Sequence, residues 1–449
     1  MNKNNIENSG QNTKLYRQVY QRLKEDILNG YLQKGDQLPS IRKSEKLFKV
    51  SKTSVEHAYQ QLLMEGYIRS KPQAGYFVDV DQEHVKLRKE VMQDRTYIPP
   101  TPILYDFRSQ SMDKSNFDMA LWKKYLKEIL DLHPEMTTYG DAQGEYNLRY
   151  ALQKYAYSIR GVLCNPEDMI IGSSFQSLLY ILCSFLPKHF VIGMEKGSFE
   201  QAEIVFKSFG FPIVYLNLYP DGIHVDELIR EHVAVLYLNS GSHGLYHQPI
   251  TKKKKAELLH WTDVYQTYII EDDHNGELRY QTKVMQALQG SDIQQHIFYI
   301  GSFSRLLLPS IRISYLVLTK DMVDTYQKHR MAFAPTCSKL EQLALARYIS
   351  DGHLERHLKK LTKQYEKKSK RMKQLLERYF PMATIVLEEA SLQYVVSIQQ
   401  VKEERLKNIE KAGIAINWND DLQLQLSFAA ISMQDMEEGI KRLSEWIIN

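Results

Sequence analysis

Seven short apolar runs constrain the fold most: Met169–Ile171, Phe190–Ile192, Ile213–Leu216, Val233–Leu238, Tyr268–Ile270, Ile297–Ile300 and Ile313–Leu318. Each is too short for a helix and, apart from Ser314 in the last, continuously apolar rather than alternating, the pattern of strands buried on both faces. Helical periodicity fills most of the gaps between them, over Ser174–Phe185, Phe199–Phe209 and Lys252–Tyr265. Strands that alternate with helices fold as a mostly parallel sheet covered on both sides. The spacing predicts an α/β domain over residues 104–449. Helices at Leu340–Tyr348 and through Tyr365–Tyr379 lead into a small C-terminal α/β subdomain.

Such sheets bind ligands at the carboxyl ends of their strands. Several polar residues fall there: Asp272 after the fifth run, the turn Gly172-Ser173-Ser174 after the first, and Ser302, Ser304, Arg305 and Arg312 between the last two. Hydroxyls, a helix start and cations suit an anion. Arg312, between Ile311 and Ile313, reads as a cation among apolar residues that needs a partner. The plainer alternatives are a solvated acid at 272 and serines that only cap helices.

A chain of 449 residues is long enough for more than one domain. Before the sheet lies a basic module, residues 14–78. Tyr16, Val19, Tyr20, Leu23 and Ile27 recur at helical spacing up to Gly30. A second helix runs from Ile41 to Phe48 behind Ser40. A third follows Ser51, with Val55, Ala58, Tyr59 and Leu62 on one face, and ends at Gly66. Tyr67–Arg69 and Tyr76–Val78 read as a hairpin. Three helices and a hairpin make a winged helix-turn-helix. Arg42, Lys43, Lys46, Lys49, Lys52 and His57 gather on the polar face of its second and third helices, with Arg69 and Lys71 on the hairpin. A third helix with its start facing outward suits the major groove of operator DNA, and the cations suit phosphates. Ser51, Thr53, Ser54 and the turn glycine Gly75 complete the predicted DNA face. A solvated basic surface is the alternative, but charge, helix order and wing agree against it.

Residues 1–13 read as a polar tail and 79–103 as a charged, then Pro-rich linker. The net charge of +4 is too mild to imply nucleic acid by itself, so that reading rests on local clustering. Cys164, Cys183 and Cys337 are odd in number and scattered, which fits core positions in a reducing cytoplasm. No apolar run approaches a membrane span, and Met1 to Gln11 lacks the apolar core of a signal peptide. Lys252–Lys255 reads as a solvated helix start. His353 and His357 lie one turn apart but lack the acidic partner of a metal motif.

Leu38-Pro39-Ser40-Ile41-Arg42, Val50-Ser51-Lys52-Thr53-Ser54-Val55, Ala58 to Gly66 and Gly75-Tyr76-Phe77-Val78 together resemble the GntR family of bacterial transcription regulators. In that family the position of Lys52 is usually arginine, and a lysine keeps phosphate binding while weakening bidentate guanine readout. Further blocks resemble the aminotransferase-like domain of the MocR subfamily, a fold-type-I domain that uses pyridoxal phosphate. They are Tyr139 to Gly144 with Leu148-Arg149, Arg160-Gly161-Val162, Gly172 to Gln176, Ser242-His243, Glu271-Asp272-Asp273, Glu277 to Tyr280, Gly301 to Arg312, and Gly352 to His357.

The resemblance implies a homodimer and a cofactor pocket of Ser173, Ser174, Phe199, Ser242, His243, Asp272, His274, Ser302, Ser304, Arg305 and Arg312. It also implies three departures. Arg305 stands where the family has its imine-forming lysine, His274 where a tyrosine meets the ring hydroxyl, and Gln425 where an arginine grips the substrate carboxylate. Phe199 replaces a stacking tyrosine. A guanidinium forms no Schiff base. The expectation is a regulator, not an enzyme, that senses a small anionic metabolite and holds pyridoxal phosphate without a covalent bond at most. One alternative has Arg305 paired with Asp272 in an unliganded pocket. Others are residual enzyme activity and DNA binding without an effector.

Overall fold

A computed structural model describes residues 15–80, 102–108, 117–131, 136–196, 198–241, 249–273, 276–281, 286–303, 305–388, 391–399, 401–419 and 421–448. The chain divides into two compact units, 1–100 and 101–449.

The first unit holds α1 (Leu15–Leu28), α2 (Ile41–Phe48), α3 (Lys52–Met64) and the antiparallel hairpin of β1 (Ile68–Lys71) and β2 (Gly75–Val78). Its core is the inward face of the predicted helices: Val19, Leu23, Ile27, Val55, Ala58, Tyr59 and Leu62, closed by Leu38, Ile68 and Val78. Gly30 and Gly66 take φ values of +78° and +75°, left-handed turns that stop α1 and α3. Ser51 caps α3, its Oγ accepting from the amide of Ser54 at 3.3 Å. Ser40 sits at the start of α2 but caps it through its backbone carbonyl, which accepts from the amides of Lys43 and Ser44, and not through its hydroxyl.

The second unit carries a seven-stranded sheet. Its strands are β4 (Met169–Gly172), β5 (Ile192–Glu195), β6 (Ile213–Leu216), β7 (Val235–Leu238), β8 (Tyr268–Asp272), β9 (Ile297–Ser302) and β10 (Ser314–Val317), in the order β4-β10-β9-β8-β7-β5-β6. All pairings are parallel except the two that β10 makes. The apolar runs became these strands, with Phe190 and Val191 left just ahead of β5. The covering helices include α4 (Met119–Leu130), α5 (Tyr146–Arg160), α6 (Phe175–Phe185), α7 (Glu200–Ser208), α8 (Val225–Arg230), α9 (Lys252–Tyr265), α10 (Lys320–His329) and α11 (Lys339–Ser350).

A 27-residue helix, α12 (His353–Tyr379), leads to the C-terminal subdomain. There β11 (Thr384–Glu388), β12 (Gln393–Ser397), β14 (Asn417–Trp418) and β15 (Leu424–Ser427) form a four-stranded sheet in the order β11-β12-β15-β14, with α13 (Glu403–Lys407) and α14 (Met436–Ile448) beside it. β3 (Tyr105–Asp106), at the start of the unit, pairs with β13 (Ile414–Ala415) in this subdomain. Phe107 continues the seam: its amide donates to Ala415 and its carbonyl accepts from Ser427, at 2.8 and 2.7 Å. A single buried cluster runs from Tyr299, Phe303 and Tyr315 of the large sheet to Tyr394, Leu424 and Phe428 of the small one.

One expectation about charge needs correction. Lys254 is buried, not solvated, because α9 turns it toward Asp221 and Glu257, with ion-pair distances of 3.7 and 2.9 Å. Its neighbour Lys255 donates to the carbonyl of Gln286. The three cysteines are free, Cys183 buried and Cys164 and Cys337 half-buried. Among the described residues no helix is long and apolar enough to cross a membrane, and no cluster of His, Cys, Asp and Glu suits a metal.

Candidate functional sites

On the first unit, Arg42 and Lys43 are exposed on α2, and Lys49 ends that helix with a left-handed φ of +53°. Lys52, Thr53 and His57 are exposed on α3, while Ser54 is half-buried with its Oγ 3.0 Å from that of Ser51. Lys52 lies 3.5 Å from Glu56 one turn on, and His57 meets Tyr16 edge-on at 6.0 Å. Among the described residues Arg42, Lys43, Lys46 and Lys49 have no acidic partner. Arg69 lies 3.5 Å from Asp79, and Lys71 lies over the Phe77 ring at 4.9 Å. Gly75, at φ +100°, makes the wing turn, and Gln37 donates to Ala74 at 2.5 Å to fasten it. Sequence reasoning passed over Gln37 and the open groove of about 660 Å³ that it lines with Ser40, Lys43, Lys46 and Leu47.

The second site is built by strand register. Ser314 of β10 lies opposite Gly172 of β4 on one side and Ser302 of β9 on the other, and Asp272 of β8 lies opposite Ile300 of β9. Asp272, Ser173, Ser302 and the loop from Phe303 to Arg312 therefore share one sheet edge. Ser174 caps α6 by a reciprocal bond with Ser177, at 3.1 and 3.0 Å, and the Ser173 amide donates to the Thr336 hydroxyl at 3.2 Å. Ser302 Oγ accepts from the Ser314 hydroxyl at 3.1 Å. Phe199 is half-buried, edge-on to Phe175 at 5.3 Å, and Phe175 is edge-on to Tyr237 at 6.0 Å. Ser242, His243, His274 and Ser304 lie outside the described residues, as do the tail and most of the linker.

Asp272 is buried, and its partner is Tyr237, whose hydroxyl donates to Oδ2 at 2.6 Å. Loss of hydration pushes its carboxyl up to about 7. Tyr237 opposes the shift, and the acids Asp273 and Glu271 add to it. Arg305 does not pair with Asp272. Its Nη1 donates to the carbonyl of Ser391, 2.8 Å away in the turn between β11 and β12. Burial, offset only in part by Tyr365, brings its guanidinium down to about 10. Arg312 is corrected more fully. A left-handed φ of +51° turns it outward, and it is exposed rather than enclosed among its apolar neighbours. Gln425 is half-buried within β15, opposite Val395 and Asn417.

Sequence reasoning missed what holds this edge in place. Arg160, at the end of α5, donates to both oxygens of Asp273 at 2.6 and 3.0 Å, and Tyr299 donates to the same carboxylate at 2.6 Å. The buried Arg160 cation holds Asp273 below the usual carboxylate range. Glu271 accepts from the amides of Leu288 and Gln289, both at 2.9 Å. Glu277, buried nearby, is pushed up to about 7 by desolvation and by Asp273. His357, on α12, contacts the carbonyl of Leu306 at 2.6 Å and so fixes the loop next to Arg305. Pyridoxal phosphate held in the usual way needs an amine in that loop, and a guanidinium bound to a carbonyl does not supply one. The edge does not fit a lysine-linked cofactor at residue 305.

The fold and its edge define a class: a DNA-binding winged helix joined to an aminotransferase-like domain. Residues 15–78 match the gntR family of bacterial regulatory proteins, and residues 109–443 match aminotransferase class I and II. The HTH-type transcriptional regulator YdeL of Bacillus subtilis (strain 168) is 30% identical over 450 residues, covering 96% of each chain. The probable rhizopine catabolism regulatory protein MocR of Rhizobium meliloti is 26% identical over 462 residues, covering 96% of this chain and 93% of that one. An archaeal alanine:glyoxylate aminotransferase superposes with a TM-score of 0.69 over 81% of this chain and 94% of its own, at 19% identity, a likeness of fold alone. The chain belongs to the MocR subfamily of GntR transcription regulators.

Proposed function

We propose that this regulator contacts its operator through α3 and the surrounding cations, and that its aminotransferase-like domain senses a small anionic metabolite without Schiff-base chemistry. The observation that carries the second part is Arg305, a permanent cation bonded to a backbone carbonyl in the loop where the family keeps its reactive amine. The metabolite is pyridoxal phosphate held without a covalent bond, or another phosphate or carboxylate. Ser173, Ser174, Ser302 and Arg312 along one edge support an anion there, with Asp272 buried at the same edge. The protein acts as a homodimer in this reading. The aminotransferase-like fold of residues 109–443 supports it. Ligand and DNA binding are linked only if the ligand binds the DNA-competent and incompetent arrangements unequally.

The test is fluorescence anisotropy on a labelled fragment of the protein's own upstream region, with and without pyridoxal phosphate and a panel of anionic metabolites. At least one ligand is expected to change the operator Kd about 5- to 100-fold. Equal affinity across the panel would favour a DNA-binding protein without an effector. Borohydride reduction in the presence of pyridoxal phosphate is expected to leave the wild-type protein unmodified. A stoichiometric adduct at one lysine would overturn the non-covalent reading.

A further inference from the structure

Arg305 lies between β9 and β10 of the large sheet, whereas Ser391 belongs to the β11–β12 turn of the small one. Their bond therefore spans the two sheets. Ser391 and Leu392, the described residues of that turn, are held by hydrogen bonds. The Ser391 amide donates to Glu388, Leu392 takes a left-handed φ of +52°, and the Leu392 carbonyl accepts from the Phe428 amide and the Ser427 hydroxyl. Ser391 is thus bonded, through its neighbour Leu392, to the end of β15.

A guanidinium has five donors and stays charged. Arg305 uses one of them on a neutral carbonyl, and no carboxylate among the described residues faces it. The side chain is half-buried, so a solute anion can reach it, and Ser391 is half-buried too, so water can replace the guanidinium there. A charge-assisted bond is about twice as strong as a neutral one, and a carboxylate or phosphate offers two at once. His357 meanwhile holds the Leu306 carbonyl, so the exchange needs only the side chain to move.

Resting on the anion-sensing reading above, we infer that Arg305 is a coupling residue: a bound carboxylate or phosphate takes its guanidinium from Ser391 and releases the β11–β12 turn. Ligand-free, the bond staples the C-terminal subdomain to the large sheet. Liganded, the staple is open.

Hydrogen–deuterium exchange on the full-length protein, followed in peptides covering 384–397, tests this with inorganic phosphate and pyridoxal phosphate as probes. Arg305→Met, which removes every donor, is expected without probe to exchange about tenfold faster at the turn, the effect of one lost hydrogen bond. Arg305→Lys, which keeps a cation and a donor, restores slow exchange. Wild-type protein saturated with a probe behaves like Arg305→Met, and a probe changes nothing further in that variant. Unaltered exchange in probe-free Arg305→Met overturns the staple. A probe that binds wild type by calorimetry yet leaves the turn protected overturns the coupling while anion sensing stands. Failure of both probes to bind overturns the ligand half, together with the sensing of phosphates.

Discussion

Asp272 is a carboxyl taken out of water with a hydroxyl and no cation to compensate it. Its folded pKa of about 7 lies above the unfolded value near 4, so the native state binds the extra proton between those limits. Stability from this group is full below about pH 4 and lost as pH rises through 7. Asp272→Asn keeps an acceptor for Tyr237 and removes the titration. Its melting temperature relative to wild type should climb from pH 5 to pH 8, and parallel profiles would refute the assignment. Arg305→Lys is the complementary change. With pyridoxal phosphate and borohydride it should give an adduct at residue 305 by peptide mass, where wild type gives none. Absence of that adduct would mean the edge has diverged at more than one residue.

Side-chain partners show where sequence reading stopped. Asp272 was legible because a strand ending in an acid marks a sheet edge. Tyr237 was not, because strand order sets its neighbour. The Arg160–Asp273 pair bridges 113 positions that no local pattern connects. Arg312 misled for a different reason. Apolar neighbours imply burial only in regular structure, and a left-handed residue breaks the alternation.

Among elements, helices with glycine stops and continuously apolar strands were placed within a few residues of their observed ends, because backbone chemistry fixes them locally. Arg42, Lys43 and Lys46 of α2, and Lys49 at its end, are cations with no acidic partner among the described residues. If Lys43 and Lys49 each neutralise one phosphate, Lys43→Ala and Lys49→Ala should each reduce the slope of log K against log salt by about 1 and weaken all sequences alike. Lys52 differs, because Glu56 already competes for it. Lys52→Ala should cost less affinity than either, as measured by anisotropy between about 50 and 200 mM salt.

At the scale of the whole molecule, the strand Tyr105–Asp106 and Phe107 behind it bind to the C-terminal subdomain, not to the large sheet. Gly439 of α14 makes room for them, since a Cβ there would lie 2.8 Å from Phe107 and 3.0 Å from Tyr105. Gly439→Ala should loosen this seam. The expected result is unchanged affinity for the metabolite, by calorimetry, with a smaller effect of that metabolite on operator affinity. An undiminished effect would place the transmission elsewhere. The seam has a mechanical meaning. The first strand of this unit is moored to the small sheet rather than to the large one, so it goes wherever the small sheet goes.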